Sequence, residues 1–298
     1  MASPGVPSYA EIAHSQTNGV SNDDMTYSKN DNEDGDVFKL VGRAIHEHPK
    51  GKPYATAISE QPVTFQRQPY IPQPNDPLLD SGTARATLAP SVQSPHGTTE
   101  GDWARKHQHY TVVQQHAEYW DPDHDGIIWP SDTYRGIRDW GWSIPLSLLA
   151  TFIINFNLSY PTVPGFLPDP WFRIWIDRLW KDKHGSDSMS YDNEGRFRPQ
   201  NFEDFFAKYD RGQKGGLDIW DLGRALKGQR MVFDFFGWSA AFFEWLATYL
   251  LLWPEDGVMR KEDVRRVFDG SIFQKKADEY AEQQKAKKGR AYASRAIP

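Results

Sequence analysis

The hydrophobic and polar positions divide the chain into a polar beginning, an apolar middle and a basic end. Residues 1–102 are rich in Pro, Ser, Asn, Asp and Gly, a composition that buries too little apolar surface to fold alone. Across residues 103–276 apolar and aromatic residues recur with helical spacing, and residues 277–298 carry scattered lysines and arginines. The pattern predicts a largely disordered N-terminal extension, a mainly α-helical domain and a basic C-terminal tail.

Two short helices are predicted on either side of residues 121–132. Val112, His116 and Trp120 share one helical face before that segment, and Asp132 stands at the start of a helix after it. An acidic residue at a helix N-terminus interacts favourably with the helix dipole. This part of the pattern therefore indicates a helix, a loop and a second helix.

Residues 144–160 form an apolar stretch without charge, close to the length that spans a bilayer. A proline cluster follows at 161–170; it should break the helix and force a turn. Residues 171–180 then predict an amphipathic helix with Trp and Arg, which suits a membrane surface. We expect residues 142–180 to dip into one leaflet and return, as a monotopic proline-knot anchor; a buried core helix with a proline-rich loop is the alternative. The tryptophans expected at the interface are Trp142, Trp171, Trp175 and Trp180.

A second apolar stretch covers residues 231–253. Asp234 and Glu244 lie inside it, and charged residues are costly within a bilayer. A core helix is therefore favoured over a membrane span.

The segment between the two short helices has the ligand spacing of an EF-hand calcium loop. Aspartates fill its first, third and fifth positions, Gly126 allows the sharp turn at the sixth, and an apolar residue stands eighth. The last position holds Asp132, one methylene shorter than the usual glutamate. The predicted calcium ligands are Asp121, Asp123, Asp125, the carbonyl of Ile127, and Asp132.

Two later segments, residues 210–221 and 252–263, keep the Gly turn of such a loop but lack most ligands. EF-hands normally come in pairs, so we interpret these segments as degenerate loops, one of which would pair with the calcium loop. Ordinary glycine turns are the competing interpretation.

Composition narrows the chemistry. The chain of 298 residues has a formal net charge of -6, which argues against nucleic-acid binding. It has no cysteine, so disulfides, thiolate zinc sites and cysteine nucleophiles are excluded, and any haem iron would need His, Met or Tyr. By context His116 and His184 are the candidate ligands, although a histidine on an apolar face is more often a hydrogen-bonded core residue.

Six motifs and the proline cluster follow one another in a specific order along residues 103–276. The motifs are Gln114–His116, Asp121–Pro130, Lys183–Ser188, Tyr191–Phe197, Gly237–Trp245 and Val267–Phe273. Together they resemble the caleosin family, the calcium-binding peroxygenases of lipid droplets and endoplasmic reticulum, and the long extension resembles fungal members. Asp132, where the family usually has Glu, and the spacing of the prolines are departures from the family pattern.

The resemblance implies a haem b enzyme that also binds Ca²⁺ and acts at the cytosolic face of lipid droplets and endoplasmic reticulum. Organic hydroperoxides would supply oxygen to unsaturated fatty acids, and His116 and His184 would be the cofactor-binding and catalytic residues. Two firm axial ligands would close the iron. One histidine would therefore be the stable ligand, for which we favour His116, and the other a displaceable ligand or an acid–base group. A non-catalytic calcium-binding tethering protein of lipid droplets is the alternative function, and homo-oligomerisation stays open.

Overall fold

The computed structural model describes residue 70, residue 75 and residues 77–295. Residues 1–69 of the predicted extension lie outside this part of the chain. The α-helices are α1 (Trp103–Lys106), α2 (Val112–Glu118), α3 (Pro130–Asp139), α4 (Ile144–Thr162), α5 (Pro199–Tyr209), α6 (Ile219–Gly228), α7 (Phe235–Leu252), α8 (Lys261–Phe268) and α9 (Ser271–Arg295). Short 3-10 helices cover Glu100–Asp102 and Ile176–Asp182. The prediction of a mainly helical protein is confirmed.

Four two-residue strands form two separate antiparallel pairs. Strand β1 (Ile127–Ile128) pairs with β2 (Ile174–Trp175), and β3 (Gly216–Leu217) pairs with β4 (Met259–Arg260). The two degenerate loops therefore pair with each other, as the loops of an EF-hand pair do. The expectation that one of them pairs with the calcium loop is wrong, because β1 instead pairs with the segment that returns from the proline cluster.

The main core is aromatic and lies between α5, α6, α7, α8 and the start of α9. Phe197 and Phe202 are almost fully buried there, and the rings of Phe205 and Trp245 stack with centroids 5.1 Å apart. A smaller apolar cluster lies beneath β1 and β2. Its buried members are Val113, Ala117, Ile128, Ile174, Ile176 and Leu179.

Helix α4 turns its polar side inward. Its buried positions recur about every four residues and are all small or polar; its exposed positions are large and apolar. The buried residues are Ser147, Thr151, Asn155, Ser159 and Thr162, and the exposed ones include Leu148, Leu149, Phe152, Phe156 and Tyr160. The Asn155 amide donates to the carbonyl of Phe172 at 3.0 Å. The polar face thus binds the returning chain, and the apolar face points away from the protein.

The anchor segment differs from its prediction in two details. Pro161 lies inside α4, which ends only at Thr162; proline has no N–H for the helical bond to the carbonyl four residues earlier, and the helix ends one residue after it. The predicted amphipathic helix at 171–180 is wrong. Residues 174–175 form strand β2, and a 3-10 helix follows, because pairing with β1 holds the backbone extended.

Helix α7 packs one side into the main core, in line with the predicted core helix, while much of its other side is exposed. Gly237, Ala241 and Trp245 are buried on one side, while Phe235 is 64% exposed and Phe236 51%. Both α4 and α7 are long and apolar enough to cross a membrane by length and composition. Asp234 and Glu244, the two charged residues of this stretch, both bind a neighbouring loop, as described below.

The packed structure extends beyond both predicted limits of the helical domain. Leu78 and Ala89 are buried, and Thr98 donates a hydrogen bond of 2.6 Å to the buried Asp269. This corrects the predicted limit of the extension for residues 77–102. At the other end, residues 277–295 of the predicted tail continue helix α9.

Candidate functional site

Three carboxylates converge in the predicted calcium loop. The ligand oxygens of Asp121, Asp123 and Asp125 lie within 4.8 Å of one another. The loop turns at Gly126, whose φ of 80° suits glycine, and the Gly126 amide donates to Asp121 at 2.8 Å. Burial raises the pKa of Asp121, and the neighbouring Asp123 adds to that rise. A hard cation that takes oxygen ligands would offset both effects.

The other two predicted ligands are placed differently. Ile127 belongs to β1, opposite Trp175, and its amide donates to Asp125 at 2.7 Å. Asp132 lies outside the group of converging carboxylates: one oxygen accepts a 3.0 Å bond from the amide of Trp129, at the start of α3. Ligation by Ile127 and Asp132 stays a prediction.

The degenerate loop at residues 210–221 holds an ammonium among its carboxylates. Lys214 occupies the fifth position, and its Nζ bonds to Asp221 and lies 3.2 Å from Asp218 and 3.8 Å from Asp210. Asp221 is fully buried. A side chain of this protein therefore supplies the positive charge that a metal ion supplies in a working loop.

His116 is fixed by a backbone carbonyl. Its Nδ1–H donates to the carbonyl oxygen of Val267 on α8 at 2.7 Å, and its ring lies edge-on to Phe273 at 5.0 Å. Burial lowers the pKa of His116, more than the carbonyl and nearby carboxylates raise it. The neutral ring then keeps its lone pair on Nε2. A carbonyl on one ring nitrogen and a free lone pair on the other is the usual arrangement of a metal-ligating histidine.

His184 follows the 3-10 helix in the loop 183–188, which we call the His184 loop. Its Nε2 lies 3.2 Å from the Glu244 carboxylate on α7. Its Nδ1 is buried and has no hydrogen-bond partner among the described residues. Burial lowers the pKa of His184, but the hydrogen bond and charge of Glu244, with those of Asp187 and Asp234, outweigh it and raise that pKa. An unpaired buried nitrogen is unusual in a stable interior and is available to a ligand.

Glu244 is common to the surroundings of both histidines. It bonds to His184, and its negative charge also raises the pKa of His116, against the larger effect of burial. The charge of Glu244 therefore acts on both His116 and His184, although the two histidines are 68 positions apart in the sequence.

Buried ionisable groups beside His184 were missed at the sequence level. Both carboxyl oxygens of Asp182 are buried without a hydrogen-bond partner among the described residues, and burial, then Glu244, raises its pKa to about 8. Burial also raises the pKa of Asp187 and lowers that of Lys183. Lys183 and Asp187 belong to the Lys183–Ser188 motif, but an alternation of Lys and Asp is typical of a solvated surface, so the sequence pattern does not indicate their burial.

The His184 loop is tied to the beginning of α7. Asp234 accepts hydrogen bonds from the amide and hydroxyl of Ser186, at 2.8 and 2.7 Å, and from the amide of Gly237 at 3.0 Å. The Met231 amide donates to the Ser186 hydroxyl at 3.1 Å. With the His184–Glu244 contact, these bonds make α7 the main support of the loop.

A cavity of about 520 Å³ lies elsewhere in the described structure. Trp103, Lys106, Arg266 and Glu282 are among its lining residues, and neither His116 nor His184 lines it. The features that mark His116 and His184 as a site are therefore their ring nitrogens and hydrogen-bond partners, not this cavity.

Fold and site together define a mainly helical protein with one carboxylate loop, two partly buried histidines and long outward-facing apolar surfaces. The family described as Caleosin related protein matches residues 108–277. The chain belongs to the caleosin family, as the sequence motifs predicted.

Curated relatives carry the name peroxygenase. A peroxygenase of Lilium longiflorum is 38% identical over 220 residues, covering 74% of this chain and 90% of the relative. The probable peroxygenase 4 of Arabidopsis thaliana is 37% identical over 163 residues, covering 55% and 84%. A probable inactive peroxygenase-like protein of the same plant is 36% identical over 144 residues, covering 47% and 67%. No solved structure matched the chain.

Proposed function

We propose that this protein is a calcium-dependent haem peroxygenase that transfers oxygen from organic hydroperoxides to unsaturated fatty acids. The observation that carries the proposal is the state of the two imidazoles: His116 has its Nδ1 fixed by the carbonyl of Val267, and His184 has a buried Nδ1 without a partner among the described residues. Both fit nitrogen ligation of a haem iron in a chain without cysteine. Bound haem would supply the iron chemistry by which one oxygen atom passes from the hydroperoxide to an acceptor.

His116 and His184 are built for different roles. The neutral, carbonyl-fixed ring of His116 is the better permanent ligand, because its orientation and its lone pair are both set. His184 can gain and release a proton: its Nε2–H donates to Glu244, and that carboxylate raises the pKa of the ring. It would serve as a displaceable ligand or as the group that moves a proton to the departing oxygen of the hydroperoxide.

Calcium would act through structure. The loop that holds Asp121, Asp123 and Asp125 directly follows α2, the helix that carries His116. A cation there would fix the end of α2 and thereby the position of the ring. Removing it should weaken haem binding without any part for calcium in the reaction.

The outward apolar face of α4 supports action at a lipid surface, where fatty acids and their hydroperoxides concentrate. Trp171 is 64% exposed and Trp180 41%, which suits the headgroup region; Trp142 and Trp175 are half-buried. We propose monotopic attachment through residues 142–180 to the cytosolic face of lipid droplets and endoplasmic reticulum. Homo-oligomerisation is compatible with this arrangement, and nucleic acid is not expected as a partner.

A turnover assay tests the proposal. Haem-reconstituted protein, an unsaturated fatty acid and an organic hydroperoxide should give the epoxide, and His116→Ala and His184→Ala should each lower the rate by at least about a hundredfold. His109→Ala, which changes an exposed histidine, is the matched control and should retain activity. Equal activity in all four proteins would contradict the proposal.

A non-catalytic calcium-binding tether is the second candidate. One relative named a probable inactive peroxygenase-like protein favours it. A tether needs no iron, so properly folded protein that takes up no haem would support this candidate.

A further inference from the structure

An exposed apolar surface lies at the beginning of α7, in a part of the chain separate from the α4 anchor. Val232 and Phe233 are each 80% exposed, and the surface continues along the helix on the side opposite its buried residues. We call it the α7 face. Its members are Met231, Val232, Phe233, Phe235, Phe236, Phe242, Phe243 and Leu246.

The polar side chains on and beside this surface already donate to carbonyl oxygens of the same segment of chain. The hydroxyl of Ser239 donates to the carbonyl of Phe236 at 2.7 Å, and that of Thr248 donates to the carbonyl of Glu244 at 2.8 Å. The indole of Trp238 donates to the carbonyl of Met231 at 2.9 Å. Donors that are already paired are what a surface needs to enter a medium without water.

The charges nearby fit an anionic partner. The guanidinium of Arg230 lies over the ring of Trp238 at 5.2 Å, and Lys227 is exposed one turn earlier. Both acidic residues of the segment are hydrogen-bonded to the His184 loop: Asp234 accepts from Ser186, and Glu244 bonds to His184. Aromatic rings beside a basic rim match the boundary between acyl chains and phosphate headgroups.

We propose that the α7 face binds the headgroup–acyl boundary of an anionic phospholipid layer, as a second lipid contact in addition to α4. The proposal rests on the lipid-surface part of the proposed function and extends it. Because Asp234 and Glu244 join α7 to the His184 loop, lipid contact by α7 places that loop directly at the layer that holds the acyl substrates.

Vesicle binding of the full chain tests the proposal. Phe233→Ser with Phe235→Ser should reduce binding to vesicles of phosphatidylcholine and phosphatidylserine by at least about tenfold, because two large apolar side chains lose their burial. Arg230→Gln should lower the preference for these vesicles over phosphatidylcholine alone. Leu79→Ser with Trp220→Ser is the matched control: both residues are 74% exposed, and both lie outside α4 and α7. It should bind like the wild type.

A second pair of variants separates this proposal from the α4 anchor. If Phe152→Ser with Phe156→Ser abolishes binding while the α7 variant binds normally, the α7 proposal is overturned and the anchor stands. If only the α7 variant loses binding, the anchor fails and the α7 face is supported. If the α7 variant changes the sedimentation of lipid-free protein but not vesicle binding, the face is a contact between copies and the proposal is overturned.

A fluorescent label on an otherwise unchanged α7 face tests the same proposal without relying on the folding of the serine variants. Since the chain has no cysteine, Val232→Cys gives one attachment site for an environment-sensitive dye. Its emission should shift to the blue when vesicles are added, whereas the same dye on Leu79→Cys should not respond. Unchanged emission at Val232→Cys would overturn the proposal.

Discussion

The Nδ1–H of His116 donates to the carbonyl oxygen of Val267 across 2.7 Å, and so couples the α2 helix to α8. Gly270, two residues beyond α8, packs closely against the backbone of Gln115 and His116. A Cβ added at Gly270 would lie 2.4 Å from the carbonyl oxygen of Gln115 and 2.9 Å from the Cα of His116. The histidine is therefore held by backbone contacts on both sides.

Gly270→Ala should displace His116 and weaken haem binding without removing a ligand. The residue also has a φ of 76°, which alanine adopts only with strain of about 1–3 kcal/mol. Thermal unfolding and haem titration measure the two effects. Gly257→Ala is the control, because Gly257 has a φ of 74° but nothing within 4 Å of the added Cβ. If both variants lost the same haem affinity, the contact with His116 would not matter.

The buried carboxyl of Asp182 predicts a pH dependence of folding in the haem-free protein. Burial, then Glu244, raises its pKa from 3.8 to about 8, so between these values the folded state keeps a proton that the unfolded state has lost. Stability should therefore fall as the pH rises from about 4 to about 8, by a few kcal/mol at most.

Asp182→Asn should remove this fall and stabilise the protein at neutral pH. Urea unfolding at several pH values measures it. Asp177→Asn changes an exposed aspartate of the same 3-10 helix and should leave the pH profile as it is. A wild-type profile retained by Asp182→Asn would show that Asp182 is not the titrating group.

Lys214 is expected to stabilise its loop as a metal ion would. The hydrogen bond that Lys214 donates to Asp221, with further contributions from Asp218, raises the pKa of Lys214 above its usual 10.5. A raised lysine pKa gives stability that is present at neutral pH and is lost only as strongly alkaline pH passes the folded value. Lys214→Met leaves the buried Asp221 without this partner and should cost about 1–3 kcal/mol.

Thermal unfolding in the presence of a chelator measures that cost. Lys275→Met, which changes an exposed lysine of α9, should have little effect. Full stability of Lys214→Met would contradict the assigned role, and full stability regained only with added calcium would mean that the loop binds metal once the ammonium is gone.

Asp132→Glu should raise calcium affinity, on the order of tenfold, because the longer glutamate side chain at this position can bind the cation with both carboxylate oxygens. Isothermal titration calorimetry measures it. Ser131→Glu adds the same carboxylate one position earlier, on an exposed residue, and is the control. Equal gains in both variants would mean that added charge alone is responsible.

The sequence predicted the features that depend on local pattern. Alternating aspartates with Gly126 predicted the loop in which Asp121, Asp123 and Asp125 converge, and helical spacing predicted α2 and α3. Family motifs pointed to both histidines.

Features that depend on tertiary contacts were not predictable. The burial of α4 through its polar face reverses the usual rule, and the pairing of β1 with β2 turned an expected helix into a strand. Glu244 looked like a sign of a core helix, whereas its carboxylate binds His184 on a distant loop. Nothing local to α7 indicates that contact.

Haem titration of the folded, haem-free protein, followed in the Soret region, tests the central claim most directly. The wild type should take up haem with a Soret shift. His116→Ala should lose that shift, because the stable ligand is gone. His184→Ala should still bind haem, with an altered spectrum, because it keeps the stable ligand. A wild type that takes up no haem, or a spectrum that both substitutions leave unchanged, would contradict imidazole ligation by these two residues.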